Sequence, residues 1–260
     1  MIINLIKNDK PIIEYDSGFF FGKGLFETIL ILKEPVFLDE HLERLNKGLK
    51  KLEINNEVNS KMVYDNICGV TNCALKIMVS EKNIILSARE LKYTEDYYDR
   101  GFKIKLSSIK KNPESPIVSL KSFNYLENII EKEKWQKQGF DEAVFLNIND
   151  YITEGTMSNI FIILDDFILT PSVECGLLNG VVRNFIINKL GSKFNIIEGK
   201  IPLSVIKQCK GMFITNSLLG VMWVRQFENL YFPKHKIYEE IRNYYNEYIK
   251  NNKAKKGVKS

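Results

Sequence analysis

The chain has 260 residues, 45% of them hydrophobic and 27% charged, with a formal net charge of +5, which favours two compact units with ordinary globular cores over one. Four cysteines without CxxC spacing (Cys68, Cys73, Cys175, Cys209) exclude a disulfide scaffold, and with only His41 and His235 beside them no metal site is expected. Part of the basic excess lies in the tail from Lys250 to Lys259, which reads as a solvated end, and no stripe of arginines and aromatics points to nucleic acid.

The opening Met1-Ile2-Ile3-Asn4-Leu5-Ile6-Lys7 is short and carries no cleavage signal, and no apolar run nears the ~20 residues of a bilayer span. A cytoplasmic chain without a membrane partner is therefore expected. Phe19 to Gly24 leads into Leu25 to Leu32, whose aromatic and branched residues predict a strand. Asp39 is the expected N-cap of the next helix, in which Leu38, Leu42, Leu45, Leu49 and Leu52 recur at helical spacing. His41 and Arg44 share a second face of that helix. Cys73 to Ser80 and Ile84 to Ala88 predict a hairpin turning at Glu81-Lys82-Asn83.

Polar, proline-containing Lys110 to Pro116 predicts an interdomain linker, placed at 113–116. It divides an N-terminal α/β domain, 1–112, from a larger C-terminal domain, 117–260. Beyond it Lys121 precedes a helix over roughly Tyr125 to Gln138, followed by strands at Ala143–Ile148 and Asn159–Leu164 with turns at Asn149-Asp150 and Asp165-Asp166. Gly180-Val181-Val182-Arg183 opens another helix, Met212 to Ser217 is a buried strand ending in a polar turn, and the last helix turns Ile241, Tyr245 and Tyr248 inward.

Three places carry possible chemistry. The glycine-led start at Asn179-Gly180-Val181-Val182 offers unpaired amides to an anion, Thr215-Asn216-Ser217 can add hydroxyl and amide donors, and Arg44 can add a guanidinium. Lys121 and Glu154 provide an amine and a carboxylate. Each also has a plain reading: a surface lysine, a turn carboxylate, and an arginine paired with Glu40 four residues earlier. On spacing alone an unremarkable α/β domain remains the default. Gly22-Lys23-Gly24 lacks the arm and hydroxyl of a nucleotide loop.

The segments Phe21-Gly22-Lys23-Gly24-Leu25-Phe26-Glu27-Thr28, His41-Leu42-Glu43-Arg44-Leu45 and Lys121-Ser122-Phe123-Asn124-Tyr125-Leu126 occur in the order found in the class IV aminotransferases. So do Asp141-Glu142-Ala143, Glu154-Gly155-Thr156-Met157-Ser158-Asn159-Ile160-Phe161, Thr170-Pro171, Gly180-Val181-Val182-Arg183 and Thr215-Asn216-Ser217. The chain resembles that family from Asp16 to about Val224. The resemblance implies an α/β (α+β) fold of type IV, with a β-barrel-like core in the larger domain, and pyridoxal 5'-phosphate as cofactor. Lys121 would attach the cofactor and carry protons, and Glu154 would face its pyridine nitrogen. Arg44, the Val181 and Val182 amides, Asn216 and Ser217 would hold its phosphate, while Asn159 would support the strand presenting Glu154 and Tyr125 would lie near the ring or within the helix packing. A homodimer acting on a small molecule is also implied.

The family includes branched-chain and D-amino-acid aminotransferases and aminodeoxychorismate lyases. Thr28, where the branched-chain enzymes tend to have glycine, and the Thr215 to Met222 stretch resemble the lyases, so a carbon–oxygen lyase with Thr28 near the cofactor is expected. Trp223, where the family usually has proline, and Val182, often threonine or methionine, depart from the pattern.

Overall fold

The computed structural model of the chain describes residues 2–6 and 12–256. Met1 and Lys7 of the opening segment and residues 257–259 of the basic tail lie outside them. Two compact units emerge, one of residues 1–92 with 120–126, the other of 93–119 with 127–260.

The first unit contains β1 (Ile2–Asn4), α1 (Ser17–Phe21), β2 (Leu25–Ile31), α2 (Leu38–Lys51), α3 (Ser60–Asn66), β3 (Cys73–Val79) and β4 (Ile84–Glu90). Its sheet has the order β1-β4-β3-β2, parallel at β1/β4 and antiparallel elsewhere. The predicted hairpin is β3–β4. Leu38, Leu42, Leu45 and Leu49 of α2 pack on Leu25, Ile29 and Ile31 of β2 and on Leu75 and Ile77 of β3, as the leucine spacing requires.

Two local expectations change. Phe19 to Phe21 form the end of α1 rather than an approach to a strand. Asp16 caps that helix by accepting the Gly18 and Phe19 amides, and Gly22, at φ 70°, ends it in a conformation that favours glycine. Asp39 does not cap α2, because the N-cap lies two residues earlier, at Phe37 with φ 55°. Asp39 and Glu40 instead place negative charge in the first turn, where the helix dipole favours it.

The second unit contains α4 (Glu95–Arg100), β5 (Phe102–Lys111), α5 (Leu126–Gln136, whose first residue groups with the first unit), β6 (Glu142–Asn147), β7 (Ile152–Gly155), β8 (Asn159–Ile163) and β9 (Ile168–Pro171). It continues with α6 (Val181–Phe194), β10 (Ile196–Gly199), β11 (Gly211–Asn216), β12 (Gly220–Phe227), β13 (Leu230–Tyr231) and α7 (Lys236–Lys256). One sheet runs β10-β9-β8-β11-β12-β5-β6-β7, with β13 beside β12. It curls until β7 touches β8 and β9, producing the expected barrel-like core. Inside lie Phe102, Ile104, Val144, Ile152, Ile160, Ile162, Ile214 and Met222. On the other face Phe161 and Phe213 stack at 4.7 Å, and α6 and α7 pack through Phe185 against Tyr245 and Tyr248. Ile241 and Tyr245 are buried as expected, while Tyr248 is half-buried.

The boundary also moves. β5 pairs in parallel with β6 and β12, so residues 93–111 belong to the larger unit rather than to a domain ending at 112. Lys121, expected in the C-terminal domain, groups with the first unit. The Phe26 amide donates to the Lys121 carbonyl at 2.8 Å and the Phe123 amide to Gly24 O at 2.9 Å, with Ser122 bridging to Leu25. These contacts lay residues 121–123 along β2 like a short extra strand. No helix among the described residues is long and apolar enough to cross a membrane.

Candidate active site

The candidate residues fall in both units. In the first, β2 alternates its side chains between two faces. Leu25, Ile29 and Ile31 enter the core, and Glu27 points the same way towards α2. Phe26 and Thr28 occupy the other face. The Phe26 ring lies under Lys121, whose Nζ is 4.5 Å from its centroid and 4.9 Å from that of Tyr125, and the two rings meet edge to face at 5.2 Å. Lys121 is thus set among aromatic surfaces. Tyr125 belongs to that setting and precedes α5 instead of packing within it.

Sequence reasoning missed two features here. Lys76 stands directly across from Thr28 on β3, with its Nζ 4.6 Å from the same Phe26 ring. Burial and then the charge of Arg89 push its ammonium below the usual lysine range. Strand register could have exposed this neighbour, since β2 and β3 were both legible. The second feature is Glu27, which is 1% exposed. Arg44 does not turn to Glu40. It donates Nε to Glu27 Oε1 and Nη2 to Oε2, both at 2.7 Å, and His41 Nδ1 lies 2.7 Å from Oε2. Burial alone would raise the Glu27 carboxyl, but the Arg44 guanidinium holds it ionised well below the usual carboxylate range. Burial also lowers His41, leaving a neutral ring. An ionised carboxylate can only accept, so the His41 proton sits on Nδ1.

In the second unit a turn between β7 and β8 presents Glu154 and Asn159. Glu142, 1% exposed, holds that turn by accepting the Thr156 and Met157 amides at 3.2 Å and the Ser158 hydroxyl at 3.1 Å, together with the Thr156 hydroxyl. Asn128 donates to Thr156 O at 2.7 Å and Asn216 to Met157 O at 3.1 Å. Glu154 and Asn159 then grip one residue from both sides: the Leu178 amide donates to Glu154 Oε2 at 3.0 Å, and Asn159 Nδ2 donates to Leu178 O at 2.8 Å. The expected supporting role of Asn159 thus reaches the loop before α6 as well.

That loop ends at Gly180, the N-cap of α6, which has no side chain to cap the helix. A Cβ there would lie 2.0 Å from Asn159 Oδ1, so glycine is required. The Val181 and Val182 amides form the first turn. Across the sheet Thr215 pairs with Asn159, and its buried hydroxyl has no hydrogen-bond partner. The Asn216 side chain was expected among the donors of the cup. It is engaged in the turn itself, with Oδ1 taking the Leu218 and Leu219 amides at 2.9 and 2.8 Å. It shapes the turn that carries Ser217.

In the first unit an amine on aromatic surfaces suits an aldehyde. In the second a carboxylate fixed by an amide suits a basic ring nitrogen, and a helix start without a side-chain cap, with a buried hydroxyl that has no hydrogen-bond partner among the described residues, suits phosphate oxygens. A relative from Bacillus subtilis named aminodeoxychorismate lyase is 27% identical over 246 residues, covering 86% of this chain and 84% of that one. A probable branched-chain-amino-acid aminotransferase from Aquifex aeolicus is 30% identical over 82% of this chain and 78% of its own. The solved structure of a putative 4-amino-4-deoxychorismate lyase from Legionella pneumophila superposes with a TM-score of 0.83 at 25% identity, covering 95% of this chain and 98% of that one. The family model described as amino-transferase class IV matches residues 24–227. The chain therefore belongs to the class IV amino-transferases, a family of enzymes that work with pyridoxal 5'-phosphate.

Proposed function

We propose that this enzyme is a lyase converting 4-amino-4-deoxychorismate to 4-aminobenzoate and pyruvate. The observation that carries the reading is the Thr28 hydroxyl, on the sheet face that bears Phe26 and, through that ring, Lys121. Lys76 and Arg89 support it by giving this face positive charge for a substrate with two carboxylates. The Bacillus and Legionella similarities point the same way.

Pyridoxal phosphate, when bound, supplies a sink for the electrons left as a proton departs from the carbon bearing the substrate nitrogen. In this reading Lys121 attaches the cofactor. As a neutral amine, the Lys121 Nζ would be the base that takes up that proton. Glu154, held by the Leu178 amide, would face the pyridine nitrogen. For the phosphate the first unit would offer Arg44, and the second would offer the Val181 and Val182 amides with Ser217, in a turn that Asn216 supports. Lys121 or Thr28 returns a proton to the departing enolpyruvyl group, and aromatisation of the ring drives the cleavage.

The test is incubation with aminodeoxychorismate alone. 4-Aminobenzoate and pyruvate should accumulate without any added keto acid. Leucine or alanine with 2-oxoglutarate gives the rival result, and rapid keto-acid turnover without aminobenzoate would refute the lyase reading. That rival, a branched-chain or D-amino-acid aminotransferase, is favoured by the 30% identity to the Aquifex protein. Borohydride reduction should place the label on the peptide containing Lys121.

We also infer a homodimer. The exposed cluster of Tyr15, Phe19, Phe20 and Phe21, each more than 60% exposed, supplies an apolar surface that a second copy would cover. Light scattering should give twice the chain mass. Four free cysteines suit the reducing cytoplasm.

A further inference from the structure

Arg183, the third residue of α6, is 1% exposed, and the cup reading gives it no role. Its Nη1 donates to Asn179 Oδ1 at 2.9 Å. Its Nη2 donates to Pro171 O at 2.8 Å and to Glu198 Oε2 at 2.5 Å, while its buried Nε has no hydrogen-bond partner among the described residues. Two physical costs meet in this arrangement. A buried cation loses its hydration, and a cation in the first turn of a helix opposes the helix dipole. Among the described residues the one carboxylate paired with it, Glu198, is 40% exposed on β10. A staple between β9 and α6 could be made at less cost by apolar side chains. A buried positive charge beside the first turn is, however, useful to a helix start that must receive a doubly charged anion.

We propose that Arg183 is a positioning residue for the phosphate cup. Through Asn179 it fixes the chain immediately before Gly180, and so sets the direction of the Val181 and Val182 amides. Its charge adds to the positive potential at that helix start. This rests on the reading in which α6 receives the cofactor phosphate. Glu198 partly offsets the charge, so the pair sets how strongly the cup attracts an anion.

The experiment strips the full-length protein of cofactor and titrates it with pyridoxal 5'-phosphate and, separately, with pyridoxal, which lacks the phosphate. The ratio of the two affinities isolates the cup, and a melting temperature is taken for each variant. Wild type should prefer the phosphorylated form. Arg183→Met should shrink that preference by about tenfold, the scale of one nearby charge at a partly screened distance, and Arg183→Lys should restore part of it. Glu198→Gln separates positioning from mere stapling. Removing the exposed carboxylate should lower the melting temperature yet enlarge the preference for phosphate. Should Arg183→Met prove unable to fold, Glu198→Gln decides alone. A fall in both preference and melting temperature for Glu198→Gln, or an unchanged preference in folded Arg183→Met, overturns the role of Arg183 and leaves the cup standing. A wild type that binds both compounds equally removes the cup, and the role of Arg183 with it.

Discussion

Glu27 in the first unit and Glu142 in the second are both 1% exposed, yet their surroundings differ in kind. Glu27 faces the Arg44 fork and the His41 ring, contributed by a helix from across the core. Glu142 faces amides and hydroxyls of one tight turn, with the Lys132 ammonium only at 3.9 Å. The first carboxylate is stabilised by distant charge and the second by local neutral donors. Charge can be redirected by pH or by a bound anion, whereas a turn locked by its own amides can only present what it carries. On the proposed reading the first unit moves protons and offers Arg44 to the phosphate, while the second offers a fixed carboxylate and a fixed helix start, and the two surroundings suit those tasks.

The largest expected effect comes from breaking the charged arrangement. Glu27→Gln removes the buried carboxylate that faces the partly buried Arg44 guanidinium, and should cost the first unit about 3–5 kcal/mol. Urea unfolding followed by hydrogen exchange, which resolves the two units, checks this. A loss below ~1 kcal/mol would mean that Arg44 has another adequate partner. The equivalent change in the second unit should be milder. Glu142→Gln puts N–H groups where donors already point, and should cost about 1–3 kcal/mol, with fast exchange at the Thr156 and Met157 amides as its signature. Equal losses in the two units would erase the distinction between charged and neutral surroundings.

Little of this contrast was legible in the sequence, although several of the residues around it were. The leucine spacing of α2 placed His41 and Arg44 on a common face. Nothing along the chain said that the face would meet Glu27, because that contact depends on how α2 crosses β2. The choice of Glu40 as partner failed for the same reason: helix neighbours are visible in sequence and sheet-to-helix contacts are not. Lys121 was found but assigned to the wrong unit, since its attachment to β2 is made by backbone groups that every residue possesses. In the second unit Glu154, Asn159 and Gly180 were all singled out. Their common grip on Leu178 was hidden, because an amide and a carbonyl in a loop leave no mark on residue type. The helix Ser17–Phe21 was missed where three phenylalanines were read only as the approach to the strand at Leu25, and the Asp16 cap and Gly22 are what mark its ends.

Acid should separate the units further. Burial holds the folded His41 below its ordinary value near 6.5. As pH falls through that value the unfolded chain binds a proton that the folded chain refuses, so stability declines by at most about 1.4 kcal/mol per pH unit. Glu27 acts in the same direction further down. Its folded carboxyl is depressed, so its contribution is complete above the ordinary glutamate value of 4.5 and is lost as pH drops below it. Unfolding of wild type and His41→Gln between pH 7.5 and 5.5 should show a slope in the first unit that the variant flattens. An unchanged slope would assign the acid response to other groups.

The smallest stability effect is expected at Lys76, and there the comparison bears on the reaction itself. Its ammonium is half-buried beside the Phe26 ring and is disfavoured by burial and by Arg89. A lysine kept for stability would not be placed where folding works against its charge. Lys76→Met preserves the apolar stem and removes the disfavoured ammonium, so stability should stay within ~0.5 kcal/mol of wild type, with any change on the favourable side. Should Lys76 meet a substrate carboxylate, the same variant would raise KM about tenfold or more, as loss of a charge-assisted contact does, and leave kcat nearly intact. A variant less stable than wild type with an unchanged KM would make Lys76 part of the scaffold, and the positive face of the first unit would lose its claim on a dicarboxylate substrate.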